Sequence, residues 1–215
     1  MAHLSKDPGL LEAFEKGEDV HRKTASGLFD ISLDKVSEDH RAVGKTVNFA
    51  TIYGQGPYGL SQQLKIDIGE SKKYIDSYFK RYPKVQKYKM EILEEAKSKG
   101  YVATLLGRKR YVLDLNHRNK NIQQNAERVA FNTVFQGSAA DIIKLAMIEI
   151  EKKIPLISGE SRMILQVHDE LVFEVPEGDV SAISQMVRRT MEGVYSLSVP
   201  LTVDVGVGEN WANAH

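Results

Sequence analysis

Arg41, Lys45, Phe49 and Tyr53 recur every four residues. On an α-helix each step of four drifts by about 40°, so the four side chains share roughly 120° of arc. Val43, Val47 and Ala50 fall on roughly the opposite side. Two cations one turn apart repel weakly unless an anion sits between them. A triphosphate is such an anion, because Arg and Lys bind phosphate oxygens through charge-assisted hydrogen bonds. An aromatic further along could pack against a sugar or a base. The spacing suits a pair of core aromatics with two solvated cations equally well.

A second group is His168-Asp169-Glu170, set between the apolar runs 162–167 and 171–175. Burying two unpaired carboxylates is costly. Either a hairpin tip gives them to solvent, or they hold a hard cation such as Mg²⁺, which takes carboxylate oxygens and water. The apolar flanks predict a rigid, buried hairpin. Adjacent strand side chains face opposite ways, so Asp169 and Glu170 need not reach one metal. Two-metal phosphoryl chemistry draws carboxylates from more than one element, and no second carboxylate-bearing strand is obvious. A third group, Gln124, Arg128, Asn132 and Gln136, is also spaced by four. Its donors could meet the minor-groove acceptors that every base pair offers, or simply form a solvated helix face.

Composition bounds these readings. The 215 residues, 42% hydrophobic and 27% charged, suffice for one domain or two subdomains with a sizeable core. Without cysteine there is no disulfide framework and no thiolate metal site, consistent with a reducing cytoplasm. No apolar run reaches about 18 residues, so no membrane helix is expected, and the first residues lack a signal-peptide pattern. The net charge of zero conceals a division. Residues 41–128 carry 18 basic and 8 acidic side chains, whereas 1–40 and 129–215 are net acidic. A basic middle suits a polyanion, or a solvated lysine-rich surface.

The elements that must position these groups follow from breakers and caps. Helices are predicted at residues 8–16, 21–28, 38–53 with Ser37 as N-cap, and 57–68 with a turn. A long helical segment at 70–99 should break before Pro83. A hairpin spans 101–112, and a second long helix spans 121–152 with an interruption near Gly137. The apolar runs form another hairpin, then come a helix at 178–196 and a closing strand at 199–208. Helices, hairpin, helix and strand in that order give an α+β class.

Together the segments Arg41-Ala42-Val43-Gly44-Lys45-Thr46-Val47-Asn48-Phe49-Ala50-Thr51-Ile52-Tyr53-Gly54, Gln166-Val167-His168-Asp169-Glu170, Asp19-Val20-His21-Arg22 and Gln136-Gly137-Ser138-Ala139-Ala140-Asp141-Ile142 resemble motifs of the family A DNA polymerases. The resemblance runs in order along essentially the whole chain. It implies a helical fingers subdomain at 21–118 and part of an antiparallel-sheet palm at 119–215. Residues 1–20 would be a palm helix segment. It implies template-directed DNA synthesis from dNTPs on primer–template DNA, with two Mg²⁺ ions stabilising attack of the primer 3′-hydroxyl on the α-phosphate.

The resemblance also implies roles. Lys45 would hold the nucleotide phosphates and protonate the departing pyrophosphate, with Arg41 and His21 on the same phosphates. Phe49 would stack near the sugar and base. Tyr53 and Gly54 would lie by the template and nascent pair, and Arg128, Asn132 and Gln136 would contact primer–template. His168 would touch the primer end, Asp169 would ligate metal and Glu170 would support it. A preceding palm motif with the other metal-binding aspartate, and a thumb, would have to come from a missing half in cis or in trans. Polymerase activity without them is expected to be negligible, and an unpaired palm edge is expected to favour self-association. The alternative is a non-catalytic nucleotide or primer–template binding module. A cytoplasmic, nucleoid-associated location follows from the same resemblance.

Overall fold

Short polar residues ahead of apolar periods start most helices of this chain, which a computed structural model describes over residues 1–214. The end of the expected palm segment, His215, lies outside the described residues. Asp7 caps α2 (Pro8–Glu15), Asp19 caps α3 (Val20–Phe29), Ser37 caps α4 (Glu38–Ile52) and Asp67 caps α6 (Ile68–Arg81), each accepting from the first-turn N–H groups. A single turn, α1 (Ala2–Ser5), comes first, and α5 (Pro57–Leu64) starts on a proline. Pro83 opens α7 (Pro83–Lys99), and Tyr82 before it leaves the helical region at φ −119°, ψ 66°. The predicted break therefore stands.

Gly100, at φ 76°, ends α7 and leads into the hairpin of β1 (Tyr101–Ala103) and β2 (Lys109–Tyr111). Then α8 (Lys120–Lys153) runs on without a break. The interruption predicted near Gly137 is absent. A Cβ there would lie 2.6 Å from the Thr104 methyl. The glycine serves close packing against the end of β1, not a change of direction.

The chain divides into two compact units, Met1–Gly137 and the residues from Ser138 on. The core of the first joins Ile92, Ala96, Val102, Leu115, Phe131 and Val134 from α7, the hairpin region and α8. Its other helices lock at two points. At the α3–α4 crossing, a Cβ on Gly44 would meet the His21 carbonyl oxygen at 2.3 Å. Asp7, fully buried, accepts from Gly9 and Leu10 N–H of α2 and also from Lys84 N–H of α7, at 3.0, 3.4 and 3.0 Å.

In the second unit β3 (Arg162–Val167) pairs antiparallel with β4 (Glu170–Glu174), and α9 (Val180–Gly193) follows a short 3-10 turn. The helix expected to reach 196 thus stops at 193, and α10 (Trp211–Ala214) ends the described chain. Met163, Leu171 and Phe173 pack on a cluster of Ala146, Ile150, Ile154, Ile183 and Val187. The expectation of a buried hairpin is corrected. Only one face of this two-stranded sheet is covered, and Ile164 and Leu165 are 50% and 45% exposed. The shift of register between Met163 and Leu165 turns Ile164 out of the ladder.

The closing strand predicted at 199–208 does not form either. Leu201, Val203 and Val205 are half-buried between exposed neighbours, as in a strand. Alternation alone makes no ladder, and the Val203 N–H goes instead to the Glu192 carboxylate at 3.1 Å. The α+β class holds, with helices dominant and two small antiparallel sheets among the described residues. No helix among them is long and apolar enough to cross a membrane.

Candidate functional site

Helix α4 buries one face and leaves the other exposed. Val47, Ala50, Gly44 and Thr51 are buried, whereas Phe49 and Tyr53 remain 40% and 41% exposed. The rings of Phe49 and Tyr53 stack at 6.3 Å, and Lys45 Nζ stands 6.0 Å from the Phe49 centroid. The two aromatics therefore belong to the surface face and not to a core pair.

His21 joins this face from α3, its ring 6.0 Å from that of Phe49. Asp19 sets its position. One carboxylate oxygen accepts from the His21 and Arg22 N–H groups at 2.8 and 3.0 Å, and the other accepts from Arg41 Nε at 2.7 Å. Asp19 thus sets an anion of the chain itself beside Arg41. Burial opposes ionisation of Asp19, but the Arg41 side chain and the two N–H groups outweigh it and hold the carboxyl below its usual range. His21 is pushed down from the usual 6.5, mainly by burial; Asp19 pulls it up, and Arg41 and Lys45 push it down.

Tyr53 and Gly54 end α4 in a tight turn. Gly54 takes φ 65° and approaches α8 so closely that a Cβ would lie 3.3 Å from Arg128 Cγ. The α4 face and the start of the α8 stripe therefore meet within one unit. Along that stripe Arg128 donates to Asn125 at 2.7 Å and Asn132 donates to Gln136 at 3.1 Å. Gln124, Arg128 and Gln136 are exposed. Asn132 Oδ1 is buried without a partner.

His168 and Asp169 form the β3–β4 turn of the second unit, and both are exposed. His168 adopts φ 52°, which is uncommon outside glycine, and Gln166 Nε2 donates to its carbonyl at 2.6 Å. Glu170, half-buried, opens β4 opposite Val167. These carboxylates are the hard oxygen donors that Mg²⁺ takes. Among the described residues, however, no three metal-ligating side chains gather in one place.

Sequence reading missed Asp19, and also Asn48, whose Nδ2 stands 3.0 Å from His21 Nδ1, as parts of the site. The signals were present. Asp19 precedes a helical period as an N-cap does. Asn48, seven residues after Arg41, lies within about 20° of it on the helix.

Residues 1–213 match the family model described as DNA polymerase family A. Thermostable DNA polymerase I of Thermus aquaticus is 44% identical over 214 residues, covering all of this chain and 26% of that protein. DNA polymerase I of Mycobacterium tuberculosis is 46% identical over 216 residues, covering all of this chain and 24% of that protein. The chain thus spans about a quarter of the length of these curated relatives. Among solved structures, the POL domain of Pol1 from M. smegmatis, in complex with DNA primer-template and dNTP, is similar at 45% identity and a TM-score of 0.93. That match covers 99% of this chain and 38% of the solved one.

Proposed function

This chain belongs to DNA polymerase family A, and on that premise we propose that it carries the nucleotide-binding fingers (21–118) and C-terminal palm (119–215) of a DNA-directed DNA polymerase, with 1–20 as a palm helix. The observation that carries this reading is the α4 face. Arg41, Lys45, Phe49 and Tyr53 share it, and His21 is brought beside it through Asp19. Arg41, Lys45 and His21 would bind the triphosphate of a dNTP. Phe49 would pack on its sugar and base, and Lys45 would hand a proton to the departing pyrophosphate.

Tyr53, Gly54, Arg128, Asn132 and Gln136 would line the primer–template, and His168 would meet the primer end. In the free chain Arg128 and Asn132 each donate to a neighbour on α8. Gripping a duplex would exchange those bonds for minor-groove acceptors. Asp169, supported by Glu170, would hold Mg²⁺, which supplies charge neutralisation at the transferring phosphoryl group. A second carboxylate-bearing element, in cis or in trans, is part of this reading, because both carboxylates here come from one hairpin.

That last fact also favours a second reading, a nucleotide or primer–template binding module without catalysis. Primer extension with Mg²⁺ and four dNTPs separates them. The chain alone is expected to extend nothing. Adding a polypeptide with the preceding palm motif and thumb of a family member is expected to restore synthesis that Asp169→Ala abolishes. Binding without restored synthesis would favour the second reading. Extension by the chain alone would show that the metal site is complete without a second element.

A further inference from the structure

The carboxylate that starts α3 serves two arginines whose remaining nitrogens are used in opposite ways. Arg22 gives its backbone N–H to Asp19 and commits both terminal nitrogens to the chain. Its Nη1 donates to the Val36 carbonyl at 2.7 Å and its Nη2 to the Glu38 carboxylate. Arg22 therefore braces α3 to the segment that enters α4. Arg41 is held through Nε alone, which donates to Asp19 Oδ2 at 2.7 Å. Among the described residues, Nη1 and Nη2 of Arg41 have no protein partner within hydrogen-bonding distance.

The direction of these bonds is fixed, because a guanidinium only donates and a carboxylate only accepts. Burial opposes ionisation of Asp19, yet its carboxyl is held below the usual range, so the bond to Nε is charge-assisted. Asp19 cannot turn away without losing the His21 and Arg22 N–H groups that its other oxygen accepts. A guanidinium carries five N–H bonds in one rigid plane. Holding Nε narrows the directions open to the other four.

We propose that Asp19 is a positioning residue that grips Arg41 by Nε and so presents its paired Nη nitrogens, the fork that suits phosphate oxygens, on the face that carries Lys45. The role toward phosphate rests on the nucleotide reading given above. An arginine already ordered by the fold loses less freedom when the anion arrives. The contrary role, a competitor displaced before Arg41 can bind, requires the ligand to take Nε. Four N–H bonds free of Asp19 make that unnecessary.

The free chain is tested first, by ¹⁵N NMR of the arginine Nε–H groups, with the Arg41 signal identified by its loss in Arg41→Lys. In the wild type that signal should be ordered and slow to exchange. Asp19→Asn keeps the cap through a carbonyl that two backbone N–H groups orient, and turns its N–H₂ toward Nε, donor against donor. Arg41 should then become as mobile as an exposed arginine. An Arg41 signal already mobile in the wild type, or unaltered in the variant, overturns the inference. Titration with dATP of the wild type, Asp19→Asn, Arg41→Ala and the double variant closes a cycle in which plain repulsion between Asp19 and the phosphates cancels. Asp19→Asn should be less favourable to binding by about two- to tenfold with Arg41 present than with Arg41→Ala, the worth of ordering one long side chain. Equal effects in both backgrounds overturn the presentation to phosphate, and coupling of the opposite sign makes Asp19 a competitor. A wild-type chain with an ordered Arg41 that binds no dATP overturns the nucleotide reading, and the presentation to phosphate with it, while the grip on Arg41 stands.

Discussion

Asp19 shows how much one side chain sets at this surface, because it starts α3, engages Arg41 and pulls on the titration of His21. Asp19→Asn separates these duties. Asparagine caps a helix as well as aspartate does, so α3 should stay intact. The negative charge that raises the His21 pKa is lost, while burial, Arg41 and Lys45 still lower it. His21 is therefore expected to titrate lower in the variant than in the wild type, followed by its ring resonances; an equal or higher value contradicts this account. The linkage has a definite sign. His21 favours its neutral form in the fold, so its contribution to stability is complete above the usual 6.5 and declines as pH falls through the lowered folded value. His21→Gln should flatten the stability profile over that acidic interval.

Helix boundaries were legible because their causes are local. Ser37 sits where a cap belongs and Pro83 breaks where a proline must, as expected; Asp7, Asp19 and Asp67 cap their helices by the same local signal, though none of them was named as a cap from the sequence. What sequence could not settle depends on a distant partner. Gly137 reads as a breaker until Thr104 is seen against it, and the residues near 203 read as a strand until a ladder is sought. The stripe on α4 was likewise visible from spacing, whereas Asn48 gained its meaning from the crossing with α3. Gly137→Ala tests the packing account. Alanine gains about 1 kcal/mol of helix propensity, yet its methyl meets a Thr104 side chain held by the Arg108 N–H at 3.1 Å. A net loss of about 1 kcal/mol is expected in urea unfolding, and Thr104→Ser should relieve it. If Gly137→Ala stabilises the chain, the close contact is not a constraint.

For the whole molecule, charge and exposed surface give two expectations. Residues 41–128 concentrate the basic side chains, so primer–template binding should weaken steeply with salt. Each phosphate neutralised adds about 0.9 to the slope of log affinity against log salt. A slope near zero in a fluorescence titration would rule out a phosphate-dominated interface. The bare face of the β3–β4 hairpin, with Ile164 and Leu165 exposed, is expected to drive concentration-dependent association. Ile164→Lys should reduce that association in sedimentation measurements.

The double cap at Asp7 bears on the order in which the molecule is made. One carboxylate oxygen serves α2, three residues away at most, and the other waits for Lys84, 77 residues later. At roughly 5–20 residues per second, a ribosome takes on the order of 4–15 s to deliver that second partner. During that interval α2 already has its cap, but the carboxylate must remain in water. Burial of this corner can be completed only after α7 has begun to leave the ribosome.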